Sequence, residues 1–74
     1  MTRLPAVSGD ECISALQKLG YRISRIKGSH VWLVCPGRPP VPVPKHDELG
    51  KGILRKIIHM ADISVDEFVN LLKK

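Results

Sequence analysis

Tyr21-Arg-Ile-Ser-Arg-Ile-Lys-Gly-Ser-His-Val-Trp-Leu-Val-Cys35 is the stretch whose reading decides the fold. Tyr21 to Lys27 partly alternates and is rich in β-formers, and His30 to Cys35 is a short, mostly apolar run. Gly28-Ser29 between them reads as a tight turn, so the two runs form an antiparallel hairpin. Pro36-Gly-Arg-Pro-Pro40 then breaks the chain. Val41-Pro-Val-Pro44 can only be an edge strand, because proline has no amide hydrogen for a ladder.

The flanks of this sheet read as helices. Ser8-Gly-Asp-Glu11 has the capping-box pattern, in which the hydroxyl accepts from the Glu11 amide and the carboxylate reaches back. Cys12, Ile13, Leu16 and Leu19 follow at helical spacing, and Gly20 ends the helix. Beyond the Lys45–Gly50 loop, Ile53, Leu54, Ile57, Ile58 and Ala61 mark a second amphipathic helix. Ser64-Val-Asp-Glu67 repeats the capping box and opens a third, with Val65, Phe68, Val69 and Leu72 inward. The order α-β-β-β-α-α predicts an α+β domain: a three-stranded antiparallel sheet with helices on one face. Residues 1–74 fit a single domain, with 1–7 expected as a loose N-terminal arm.

Charge gives the first functional direction. Twelve Lys and Arg against seven Asp and Glu leave +5. Between Lys18 and Lys56 nine basic residues face only Asp47 and Glu48. Such a field suits a polyanion, since phosphate contacts dominate nucleic-acid affinity; the alternative is a merely solvated surface. Nothing in the sequence is long and apolar enough for a membrane span or a signal peptide, so a cytoplasmic location is expected. In that compartment Cys12 and Cys35 are reduced packing residues rather than a disulfide.

Three histidines can exchange protons near neutrality: His30, His46 and His59. His59 leaves the apolar stripe of its helix and is expected to face solvent or a partner. His46 lies in the loop before that helix, where it can cap the helix or approach a phosphate. His30 follows the sharp Lys27-Gly28-Ser29 turn, whose small residues allow a phosphate backbone to come close while Lys27 neutralises it. RNA cleavage needs little beyond this, because the 2′-hydroxyl of the substrate can be the nucleophile. The plainer reading of a lone strand histidine is structural. In Gly50-Lys-Gly-Ile-Leu-Arg-Lys56, Lys51 and Arg55 share a helical face, Lys56 flanks it, and the glycines bare amides at the helix start. Ordinary helix initiation explains the same residues. No ligand pair has metal-site spacing and no glycine-rich nucleotide loop occurs, so neither metal nor cofactor is expected.

Ser8-Gly-Asp-Glu11, Leu19-Gly-Tyr21, Lys27-Gly-Ser-His30, Val43-Pro-Lys-His46, Glu48-Leu49, Gly52-Ile-Leu-Arg55 and Ile63-Ser-Val-Asp-Glu-Phe68 occur in an order that resembles HicA-type mRNA interferases. The resemblance covers about residues 8–70. It implies a double-stranded-RNA-binding-like fold, endoribonuclease activity on mRNA that halts translation, and neutralisation by a HicB-like antitoxin. The family's functional histidine corresponds to His30, presented by Gly28 and Ser29. Three features depart from the pattern: Val31 stands where a second histidine is often found, Asp10 where a lysine is common, and the Arg38-Pro-Pro40 link is idiosyncratic. The combined expectation is a metal-independent endoribonuclease toxin. His30 would act as general acid or base and Lys27 would steady the phosphate, while Lys51, Arg55 and Lys56 would hold the RNA backbone. A non-catalytic RNA-binding module on the same fold is the alternative.

Overall fold

The computed structural model describes residues 4–73. Its elements are α1 (Gly9–Leu19), β1 (Arg22–Lys27), β2 (His30–Cys35), β3 (Arg38–Pro44), α2 (Lys51–Met60) and α3 (Val65–Lys73). The sheet is antiparallel in the order β1-β2-β3, so the architecture is the expected α+β one, consistent with a double-stranded-RNA-binding-like fold.

Local chemistry sets the helix boundaries. At α1 the Glu11 amide donates to Ser8 Oγ at 3.1 Å and the Ser8 amide donates to Glu11 Oε1 at 3.0 Å, completing a capping box. At α3 the Glu67 amide donates to Ser64 Oγ at 3.1 Å and the Ser64 amide to Glu67 Oε1 at 3.3 Å. α1 ends as a Schellman motif: the amides of Gly20 and Tyr21 reach back to Gln17 and Leu16, with Gly20 at φ +121°. α2 closes the same way through Asp62 and Ile63, but here a non-glycine residue, Asp62, takes φ +59°. Arg38 reinforces that end by donating to the carbonyls of Ala61 (2.6 Å) and Asp62 (3.3 Å).

One face of the sheet carries the core. Val31 and Leu33 of β2 pair with Val43 and Val41 of β3, and all four are buried beneath the helices with Leu16, Leu54 and Phe68. The helices lie mainly over β3, leaving β1 as a far edge whose residues are all exposed. Ile23 and Ile26 of β1 sit opposite Leu33 and Val31, on the helix-side face, although they are three residues apart. A bulge between Ile23 and Arg25 supplies the extra residue that puts both on one face. β3 starts at Arg38, three residues earlier than the Val41 expected from its chain-breaking Arg38-Pro-Pro40 sequence. A register irregularity between β2 and β3 spans Pro39 and Pro40, and an edge strand next to such a break is where proline is tolerated.

Three expectations need correction. The loose arm is anchored within the described residues. Leu4 and Val7 are buried in the core, and Leu49 donates its amide to the Val7 carbonyl at 2.7 Å. Burial of these two apolar side chains, with the backbone bond to Leu49, offsets the freedom the segment loses. Residues 1–3 of that arm lie outside the described residues. Ile53, assigned to the core stripe of α2, is instead 44% exposed. Leu19, Val65, Val69 and Leu72 are only partly buried, leaving Phe68 as the buried residue of α3.

Candidate active site

The Lys27–His30 turn is built around a single backbone requirement. Gly28 has φ +60° and Ser29 does not take a positive φ, the pattern of a type II′ turn with glycine at its first central position. A Cβ on Gly28 would meet nothing within 4 Å, so glycine is needed there for its conformation and the turn stands open to solvent. Lys27 and His30 face each other across the hairpin as its last pair. The turn is tied to the loop before α2 by the Lys45 amide, which donates to the Ser29 carbonyl at 2.7 Å.

His30 is exposed and lies at a shallow cleft of about 210 Å³. Pro42 and Pro44 of β3 form its floor, and Ile53, Lys56, Ile57 and Met60 of α2 form its far wall. Ile53 is thus drawn out of the core because it lines this cleft. An imidazole, one ammonium group and an apolar floor meet here. Val31 is 1% exposed and points to the opposite face, as successive strand residues must. A second imidazole at that position would enter the core instead of joining His30.

The cations proposed for the site divide into two groups. Lys56 lines the cleft with His30, and Lys27 pairs with His30 across the strands. Lys51 and Arg55 are exposed on α2 but do not line the cleft. At about 100° per residue, Arg55 is turned roughly a third of a circle from Lys56, and Lys51 further still. The start of α2 has Gly50 as its cap with no side-chain hydrogen bond, and no acidic residue in its first turn. Its amides therefore share a cationic flank with Lys51.

The other titratable groups have structural settings. His46 and His59 are exposed, and neither lines the cleft. The backbone carbonyl of His46 accepts from the Gly9 amide at 2.8 Å. Burial pushes the Cys12 thiol up to about 12, leaving it protonated and inert as a nucleophile. Burial also raises the Tyr21 phenol, with Cys35 and Asp62 acting in the same sense and Arg38 against it. Its hydroxyl donates to the Pro39 carbonyl at 3.0 Å. Among the described residues, no three His, Cys, Asp or Glu side chains converge as a metal-ligand set. No helix among them is long and apolar enough to cross a membrane.

Sequence reasoning missed two features here. Gly9 is pressed against the end of β3, where a Cβ would overlap the Pro44 carbonyl oxygen and come within 2.9 Å of Lys45 Cα. Trp32 escaped notice because its run read as apolar throughout, yet strand alternation from His30 already put it on the face of that histidine.

The family model described as the HicA toxin of bacterial toxin–antitoxin matches residues 9–63. This chain belongs to the HicA toxin family. The matched span runs from the start of α1 past the end of α2 and contains the turn, His30 and the whole cleft. Membership makes the protein the toxin of a toxin–antitoxin pair, with an antitoxin as its partner. Comparison with individual curated proteins finds no match.

Proposed function

We propose that this HicA toxin is an endoribonuclease that cuts mRNA and so inhibits translation, with His30 as its proton-transfer group. The observation that carries the reading is the placing of exposed His30 between Lys27 across the hairpin and Lys56 across the cleft. Neutral His30 takes the proton of the substrate's 2′-hydroxyl. The 2′-oxygen attacks the adjacent phosphorus, the bond to the 5′-oxygen breaks, and that oxygen takes a proton from water. The products are a 2′,3′-cyclic phosphate and a 5′-hydroxyl. Lys27 and Lys56 balance the charge that grows on the phosphoryl oxygens, where preorganised donors contribute most. Gly28 and Ser29 let the backbone approach, while Lys51 and Arg55 hold RNA further along. The reaction needs no cofactor or metal. A HicB-like antitoxin, acidic where it meets this face, covers His30 in the cytoplasm until it is removed.

Cleavage of a defined RNA by purified wild-type and His30→Ala protein tests the mechanism. General acid–base assistance contributes about 10²–10⁴-fold, so the variant loses most cleavage while still binding RNA. A 2′-deoxy substitution at the scissile nucleotide abolishes cutting, and chelator leaves it intact. Undiminished cleavage of the deoxy-substituted strand would refute attack by the 2′-oxygen. Loss of activity in chelator would refute metal independence.

A further inference from the structure

We infer that the open face of the sheet is a binding platform for unpaired RNA, on which a base stacks against Trp32 and its neighbouring phosphate is delivered to His30. The inference rests on the endoribonuclease reading and adds the form of substrate and the residue that selects it.

The strand register supplies the argument. Val31 and Leu33 point to the helices, so His30 and Trp32 point to the other side, which the described helices leave open except along β3, where α2 walls the cleft at His30, Pro42 and Pro44. Trp32 stands opposite Arg25 on one side and Pro42 on the other, while His30 stands opposite Lys27 and Pro44. The half-buried indole thus lies in register between Arg25 and Pro42. Residues two apart on a strand are separated by about 7 Å, so Trp32 and His30 are within reach of one nucleotide.

Charge decides the class of ligand. Arg25 and Lys27 are exposed on this face, and none of the three strands contains an Asp or Glu. The β1 side of the face therefore complements a polyanion, with no acidic strand residue to oppose it. A flat ring flanked by cations is the arrangement with which single-stranded nucleic acid is held, through stacking that any base can make and phosphate contacts beside it. A duplex keeps its bases within its own stack and cannot offer one to the indole. An acidic protein surface would satisfy the cations and leave the ring without a specific role.

Trp32 is the chain's single tryptophan, so its emission reports on the face directly. The test titrates wild-type protein with an unstructured single-stranded 2′-O-methyl oligonucleotide, which cannot be cut through its 2′-oxygen. The same sequence as a duplex and polyglutamate are the parallel probes. The single strand quenches the emission, and the duplex and polyglutamate do so weakly or not at all. Trp32→Ala weakens single-strand binding by about 5- to 150-fold, the range for loss of one base–aromatic stack, whereas Trp32→Phe retains most of it. The quench in the wild-type protein needs no variant to fold.

Single-strand binding without a change in emission, or equal quenching by the duplex, overturns the platform and leaves cleavage by His30 standing. Quenching by polyglutamate alone assigns the face to an acidic protein and overturns it as well. If neither nucleic acid binds at any salt concentration, the platform and the endoribonuclease reading fall together.

Discussion

The two faces of the middle strand differ as sharply as any two regions of this molecule. On one, Val31 and Leu33 are 1% and 0% exposed and pack with Val41 and Val43 under the helices. On the other, exposed His30 and half-buried Trp32 alternate with them, between Arg25 and Lys27 on β1 and prolines on β3. Period-two alternation lets six residues serve both purposes, because neighbouring side chains leave the backbone in opposite directions. The edges are treated just as differently. Proline removes donors from β3, while β1 keeps all of its amides and its basic side chains. Stability is concentrated on the covered face and reactive or charged groups on the open one.

The largest expected effect breaks this division at its centre. Leu33→Ala removes a fully buried side chain and should cost about 2–5 kcal/mol, a large share of the stability of so small a domain. His30→Ala, three positions away on the open face, should change stability by no more than about 0.5 kcal/mol. Urea melts of both variants check the contrast. Comparable destabilisation by the two would mean that His30 is a packing residue, and the proposed site would lose its central member.

A smaller effect sharpens the covered side through pH. Cys12 keeps its proton in the folded protein until about pH 12, whereas an ordinary thiol loses it near 9. Between those values the unfolded chain releases a proton that the folded chain retains, so stability falls as pH rises, by up to about 1.4 kcal/mol per unit. Below pH 9 this contribution is constant. Tyr21, also raised by burial, adds to the fall with the same sign. Melting temperatures measured from pH 7 to 11 should decline more steeply for wild type than for Cys12→Ala, each relative to its own value at pH 7. Parallel curves would show that the thiol is not held in its neutral form by the core.

Much of this architecture was legible because its determinants are local. A capping box needs only Ser8 and Glu11, or Ser64 and Glu67, and a II′ turn needs only its glycine. The prolines of β3 announced an edge for the same reason. What escaped depended on contacts between distant segments. Gly9 reads as a spacer inside the capping box until the end of β3 is seen pressed against it. Leu4 and Val7 read as a loose arm because no local pattern surrounds them. Ile53 fits the apolar stripe of α2 by spacing, and only the docking of that helix beside β3 turns it to the cleft. His30 itself was found through a turn and a resemblance, while Lys56 and Trp32 were joined to it by register and packing.

The smallest effect concerns the cations and separates those at the cleft from those on its flank. Lys56 lines the cleft with His30, and Arg55 points roughly a third of a turn away. If Arg55 meets only the RNA backbone, Arg55→Gln removes one phosphate contact. The slope of log affinity against log salt should then fall by about 0.7–0.9, with no change in the cleavage rate of saturated enzyme. Lys56→Gln should lower that saturated rate, because the charge it balances is greatest in the transition state. Both side chains are exposed, so neither substitution should shift the melting temperature appreciably. Single-turnover cleavage with excess protein, followed across a salt series, measures both quantities at once. Equal losses of rate in the two variants would place Arg55 at the reacting phosphate and erase the distinction between cleft and flank.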